Sequence, residues 1–175
     1  MLQYLYYILY NNRTDFSMTS SVCSFSGHRQ IYRIHSEALP KKLSELIDVL
    51  CDCGITRFQS GGAMGFDLLA AELVIEKRER GRDISLCMLL PCRDQAARWP
   101  SATRRRYERV LEKADEVMYI SDKYNQFCMH ERNRRLVDTA DTLLCYLMRD
   151  ASGTAYTKNY AEEVGKKIIN IADML

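Results

Sequence analysis

Phe58-Gln59-Ser60-Gly61-Gly62-Ala63-Met64-Gly65-Phe66-Asp67 joins a short apolar run to a long helical pattern through a turn that only glycine-rich sequence tolerates. It reads as strand, phosphate-binding turn and helix. Gly61 and Gly62 can adopt positive φ and carry no Cβ, so a ligand can approach the main chain closely. Gly65 opens a helix whose first N–H groups have no internal partners. Such a turn suits an anion. A glycine pair can also do no more than finish a strand, so the flanking sequence has to decide.

Upstream, residues 21–26 form a small and apolar run ending in Gly27-His28-Arg29, a buried first strand followed by a polar loop. Leu39, Leu43, Leu46, Ile47 and Leu50 then recur at helical spacing and Gly54 supplies a stop. A second strand over residues 56–60 leads into the glycine turn, and a second helix over 66–80 leaves it. Residues 84–90 read as a fully buried strand, and after Pro91 a polar loop over 92–100 carries the single tryptophan. A third helix sets Tyr107, Val110, Leu111 and Ala114 on one face behind a basic start of Arg104, Arg105, Arg106 and Arg109. Residues 116–120 give a fourth strand. The fourth helix, about 125–140, aligns Met129, Asn133, Val137 and Ala140, which leaves Asn133 polar among apolar neighbours and in need of partners. Residues 142–147 form a fifth strand, Arg149 to Thr154 a loop, Tyr156, Tyr160, Ala161 and Val164 a fifth helix, and 168–171 a sixth strand.

Six apolar strands alternating with five helices predict an α/β, Rossmann-like three-layer domain with a mostly parallel, doubly wound sheet and right-handed crossovers. Ligands of such sheets bind beyond the carboxyl ends of the strands. The polar loops after the strands collect there.

With 175 residues, 47% hydrophobic and 27% charged, the chain fits one domain with a substantial core, residues 18–175. A net charge of +2 argues against a strongly basic nucleic-acid binder. The seven cysteines fall mostly in apolar runs, which indicates reduced thiols and a cytoplasmic protein. Cys51-x-Cys53 is too closely spaced for zinc and has no second pair, so no metal is expected. Residues 1–17 are an extension whose Tyr-rich start lacks a signal peptide's basic flank and a membrane span's length, and either Met1 or Met18 can be the natural start. No membrane association is expected, and a homo-oligomer is left open.

Taken in order, Ser26-Gly27-His28-Arg29, the stretch from Ser60 to Asp67 with Ala70-Ala71-Glu72, Pro91 with Gln95 and Trp99, Arg132-Asn133 with Val137-Asp138, and Ser152-Gly153-Thr154 with Tyr160-Ala161 resemble the YpsA-like family of the SLOG superfamily over residues 21–171. The resemblance implies a Rossmann-like fold and the binding of nucleotides or nucleotide-derived ligands such as ADP-ribose derivatives. Two relatives point elsewhere. The lonely-guy phosphoribohydrolases cleave a base from a nucleoside monophosphate, and the DNA-processing protein of natural transformation binds single-stranded DNA. The former carry Pro-Gly-Gly-x-Gly-Thr-x-x-Glu, whereas here Thr157 stands where the glutamate would fall. A hydroxyl cannot replace that carboxylate in stabilising an oxocarbenium-like ribose or activating water.

The candidate ligand site is therefore Gly27, His28, Arg29, Ser60, Gly61, Gly62, Gly65, Asp67, Gln95, Trp99, Asn133, Gly153 and Thr154. Arg29 offers a phosphate its planar donor fork, or is a solvated loop residue. Asp67 accepts from a ribose, or caps its helix. Gln95 and Trp99 read and stack on a base, or the tryptophan belongs to the core or rim. Asn133 contacts ligand, or ties its helix to a loop. His35 and His130 read as ordinary surface or capping residues. The expected function is to bind a small nucleotide-like ligand in a sensing or regulatory role, with no required cofactor and no catalytic group identified. The alternatives are a hydrolase of N-glycosidic or phosphoester bonds in such ligands, and a single-strand binder whose arginine-rich third and fourth helices, with Tyr107 and Tyr124, track nucleic acid.

Overall fold

A computed structural model describes residues 21–175; the expectations for residues 1–17 and for the start of the domain lie outside them. Six strands run β1 Ser21–Gly27, β2 Ile55–Ser60, β3 Ser85–Cys92, β4 Glu116–Ser121, β5 Thr142–Tyr146 and β6 Lys167–Asn170. Between them lie helices α1 Ala38–Asp52, α2 Phe66–Glu79, α3 Ser101–Lys113, α4 Cys128–Asp138 and α5 Gly153–Glu163, with 3-10 turns at Arg33–His35 and Ile171–Met174. Every pairing is parallel, in the order β4-β3-β2-β1-β5-β6. The expected α/β three-layer architecture is present.

Right-handed crossovers put α1, α2 and α3 on one face of this order and α4 and α5 on the other. Side-chain alternation along β1 follows. Cys23 and Phe25 enter the larger core, where Phe25 stacks on Phe58 at 5.6 Å and meets Phe66 edge-on at 6.4 Å. Leu39, Leu43, Leu46, Ile47 and Leu50 of α1 are fully buried there, at about 1.5–3 kcal/mol each. On the opposite face Ser24 donates to the Leu136 carbonyl at 2.7 Å, and its Oγ lies 3.1 Å from the Gln59 side-chain amide. Small serines there let α4 approach the sheet closely. Val137, Leu143, Cys145 and Ala161 form a smaller core beneath α4 and α5.

Several boundaries differ from the sequence expectation. β3 continues through Pro91 and Cys92 instead of ending before them. Past Met88, whose partner is Ser60, only β4 still pairs with β3, and the register skips from Leu90 to Cys92, so Pro91 forfeits no ladder bond. The buried stripe of α4 is Cys128, Arg132, Leu136 and Val137, rotated from the expected one, and Asn133 is only half-buried. An arginine counts as a surface residue by type, yet its stem can bury. On α5 the buried residues are Thr154, Ala155, Thr157 and Ala161, while Tyr156 and Tyr160 are half-buried and Val164 is exposed. His35 is buried, not a surface residue, its Nδ1 at 3.0 Å from the Tyr146 hydroxyl.

Candidate functional site

The chain leaves β1 toward β2 on one side and returns from β4 to β5 on the other. The loops after β1 and β5 therefore diverge, and a crevice opens at the carboxyl ends of these strands. It holds a cavity of about 320 Å³. The β1 exit contributes Ser26, Gly27, His28 and Arg29; the glycine turn, Ala63 and Asp67; α4, Met129, His130, Arg132 and Asn133; the start of α5, Ser152, Gly153 and Thr154. A cavity of about 430 Å³ at the opposite, amino-terminal edge is larger. It encloses none of the buried side-chain atoms left without a partner, so the crevice is the better candidate.

The glycine turn does not present itself to a ligand as the sequence suggested. Gly62 has φ +61°, and a Cβ there would meet Leu90 and Met88 at 2.8 and 3.0 Å, inside the core. Gly65 has φ +80°, and a Cβ would lie 2.4 Å from the Arg29 carbonyl oxygen. The glycines thus allow close packing of the chain on itself. The Phe66 N–H donates to the His28 carbonyl at 3.2 Å, and the Ala63 N–H to the Asp67 carboxylate. The place expected for a phosphate is taken by the protein's own carboxylate, which also suits the amino end of α2. Ser60 braces the turn, donating to the Asp67 carbonyl at 2.9 Å and accepting the Gly62 N–H at 3.2 Å. Ser60, Gly61, Gly62 and Gly65 support the site from below and do not line it.

Arg132 is the residue that sequence reasoning missed. Its Nη1 donates to the Gly61 carbonyl at 2.6 Å and lies 3.8 Å from Asp67 Oδ2, while its buried Nε has no partner among the described residues. Asp67 Oδ1 accepts the Gly27 N–H at 2.9 Å. Burial pushes the Asp67 carboxyl up to about 6, against the opposing pull of Arg132, the Gly27 and Ala63 N–H groups and Arg29. Burial likewise lowers Arg132, with Asp67 opposing. Both shifts describe one enclosed, loosely engaged pair whose solvation is incompletely replaced. Arg29 stands exposed on the rim with no hydrogen-bond or ion-pair partner among the described residues.

His28 holds the site's wall. Its Nε2 accepts the Met148 N–H at 2.8 Å, and burial with nearby Arg149 lowers its pKa, so it is a neutral ring protonated on Nδ1. His130 is exposed, as expected of a surface residue, and stands at the cavity's edge, edge-on to Tyr156 at 4.8 Å. At α5, Ser152 Oγ accepts the Ala155 N–H at 3.1 Å, which leaves the Gly153 and Thr154 N–H groups for an anion. A Cβ on Gly153 would meet nothing within 4 Å, so that end of the helix is open.

Gln95 and Trp99 lie elsewhere. Gln95 donates to the Gly62 carbonyl at 3.1 Å, and Trp99 packs edge-on to Tyr107 at 5.2 Å against the core. They secure the turn and α3, and neither lines the crevice. Asn133 does line it, its side-chain amide making no hydrogen bond to protein among the described residues. Thr157 is buried and its hydroxyl donates to the Gly153 carbonyl at 2.9 Å. On α3, Arg106 makes a two-pronged pair with Glu72 at 2.6 and 2.9 Å. Among the described residues no cluster of His, Cys, Asp or Glu is arranged to hold a metal ion, no disulfide joins the cysteines, and no helix is long and apolar enough to cross a membrane.

The YpsA family model, described as the YspA SLOG family, matches residues 19–172. A UPF0398 protein of Halalkalibacterium halodurans is 31% identical over 131 residues, 74% of this chain and 68% of that protein. Another from Oceanobacillus iheyensis is 29% identical over 107 residues, 60% of this chain and 56% of its own length. Among solved structures, DNA processing protein A from Streptococcus pneumoniae superposes with a TM-score of 0.63 at 16% identity, over 85% of this chain and 49% of that one. The Helicobacter pylori protein of the same name, described for its single-stranded DNA binding mode, gives 0.63 at 18% identity over 86% of this chain and 64% of that one. The chain thus spans about half to two thirds of these structures, and at such identities the likeness shows the fold alone.

Proposed function

The chain belongs to the YspA SLOG family, and from that premise we propose that it binds a phosphorylated small molecule of the nucleotide class, ADP-ribose-like ligands included, in the crevice between β1 and β5. The role is sensing or regulatory, and seven cysteines with no disulfide among them support a reducing compartment, the cytoplasm. The observation that carries the reading is Arg132. Its side chain is 7% exposed and its Nε unsatisfied, beside unpartnered Arg29 and the open amino end of α5. A phosphate supplies acceptors to all three, at about 1.5–3 kcal/mol per charge-assisted bond. Asp67 suits the hydroxyls of an attached sugar.

Calorimetry and thermal shift with sulfate, ribose 5-phosphate and AMP test this on the parent and on Arg29→Ala. The variant is expected to unfold at the parent's temperature and to bind about tenfold to a hundredfold more weakly. Unchanged affinity removes Arg29 from the site and the reading with it.

A hydrolase acting on the same ligands is the second reading, favoured by a cleft carboxyl raised to about 6 at Asp67. Single-stranded nucleic acid is the third. Tyr124 and Phe127, 63% and 66% exposed, stand on the loop leaving β4 at the ligand edge of the sheet, and the Helicobacter pylori neighbour binds such strands. Affinity that falls steeply with salt selects it.

A further inference from the structure

The 3-10 turn Arg33–His35 and the loop after β5 build a surface that the crevice does not use. His35 points inward to Tyr146, which leaves Arg33 and Ile34 outward, and Ile34 is 78% exposed. On the neighbouring loop the His28 ring holds the Met148 N–H, and Met148 is exposed beside Arg149. Gln30, Ile31, Tyr32, Arg33 and Arg149 line a notch of about 270 Å³ there. It has no lining residue in common with the crevice.

Uncompensated charge sets this surface apart. Along α2 and α3 the cations Lys77, Arg78, Arg106 and Lys113 all have carboxylate partners. Arg29, Arg33 and Arg149 are exposed and have no ion-pair or hydrogen-bond partner among the described residues. Glu37 and Asp150, the acidic residues nearest in sequence, do not pair with them, and Asp150 lies within Coulombic reach of Lys158 instead. Exposed apolar groups accompany the charge. A lone exposed aliphatic residue is ordinary, but Ile34 and Met148 are two of the five large apolar side chains exposed among the described residues, and each adjoins a residue that lines the notch.

Arg149 is also held in position. Its guanidinium lies over the Tyr32 ring at 5.7 Å, and that ring is edge-on to His28 at 6.0 Å and to Tyr146 at 6.5 Å. The Tyr32 N–H donates to the Tyr146 hydroxyl at 3.3 Å. A planar donor fork stacked on an anchored ring loses little freedom when a carboxylate engages it.

We propose that the notch docks an acidic segment of another protein, with a carboxylate side chain entering between Arg33 and Arg149 and an adjoining apolar side chain covering Ile34 and Met148. Carboxylate is the complement of unpaired guanidinium, and arginine, tyrosine and methionine are enriched at protein interfaces. The recess is smaller than the roughly 300 Å³ at which small-molecule sites begin, yet it accommodates a side chain. A recess rather than a raised basic face also favours a protein over a bilayer surface.

Fluorescence anisotropy on the full chain tests this with the labelled peptide Glu-Asp-Leu-Ile-Asp-Glu and its amide counterpart Gln-Asn-Leu-Ile-Asn-Gln. The acidic peptide is expected to bind at least about tenfold more tightly than the amide. Arg33→Ala and Arg149→Ala should each weaken it about tenfold, and Ile34→Ser about threefold to tenfold, at the parent's unfolding temperature. Arg105→Ala, on the exposed face of α3, should leave it within about twofold. The double variant Arg33→Glu, Arg149→Glu should instead prefer Lys-Lys-Leu-Ile-Lys-Lys. Equal affinity for the acidic and amide peptides, or binding that survives the three notch substitutions, overturns the proposal. Phosphatidylserine vesicles or oligothymidylate bound with the same dependence on Arg33, Arg149 and Ile34 also overturn it, and reassign the surface to a membrane or to nucleic acid. Sulfate affinity, which reads the crevice, should stay within about twofold of the parent in Arg33→Ala. A parallel loss of sulfate and peptide affinity places the peptide in the crevice and removes the separate notch.

Discussion

Asp67→Asn separates two opposed effects at the centre of the crevice. Removing one member of a buried ion pair generally costs about 3–5 kcal/mol, because the other charge is stranded. Here the pair is 3.8 Å apart with no hydrogen bond between its members, and burial dominates. The Asp67 carboxyl rises from 3.8 to about 6 even with the attraction of Arg132 included. A pKa higher in the folded than in the unfolded chain means a stability contribution that is full below 3.8 and lost as pH rises through about 6. At about 1.36 kcal/mol per pH unit, the ionised carboxylate costs the fold on the order of 3 kcal/mol above that range. Asparagine keeps an oxygen for the Gly27 N–H and forgoes one acceptor for the Ala63 N–H, worth about 1 kcal/mol. The variant is therefore expected to be about 2 kcal/mol more stable than the parent near pH 7.5, a gain that vanishes toward about pH 4. Urea unfolding across this range measures it. A variant less stable than the parent near neutrality, or a difference that does not change with pH, refutes the reasoning. Sulfate, which does not titrate here, should bind the parent more tightly as pH falls through about 6, and Asp67→Asn with no such trend.

Gly62→Val is expected to act on folding, since φ is +61° and the added atoms meet Leu90 and Met88; thermal unfolding should show a loss of roughly 2–4 kcal/mol, and an unchanged midpoint contradicts the packing described. Gly61→Ala puts a Cβ 1.6 Å from Arg132 Nη1 and should displace that flexible side chain, so sulfate titration should show at least about tenfold weaker binding with the fold retained. Asn133→Ala should leave stability within about 0.5 kcal/mol, because the amide has no protein partner, while ligand affinity drops; urea unfolding that shows a larger loss assigns the amide a structural tie. With the Thr157 hydroxyl enclosed and given to Gly153, no base should be released from nucleoside monophosphates, and turnover of even about 1 per second contradicts a binding-only site.

The sequence by itself determined the layers. Apolar runs of strand length alternating with helical patterns leave one economical burial, a parallel sheet covered on both faces, and this local periodicity is legible residue by residue. It also placed Gly27, Arg29, Asp67, Asn133, Gly153 and Thr154 at one edge, since loops after parallel strands emerge together. Only the tertiary structure decided which of them face the crevice. Whether a glycine without a Cβ faces a ligand or a neighbouring chain depends on what packs there, and Met88, Leu90 and Arg132 come from strands and helices distant in sequence. The same holds for Arg132, whose type marks it as surface. The serines of β1 and the bare Gly61 let α4 settle close enough to bury its guanidinium against a carbonyl and a carboxylate. Gln95 and Trp99 follow the right strand but turn back into the protein, because the Gly62 carbonyl and the Tyr107 ring satisfy them there. Burial of a polar group is a property of several segments meeting, and no single segment records it.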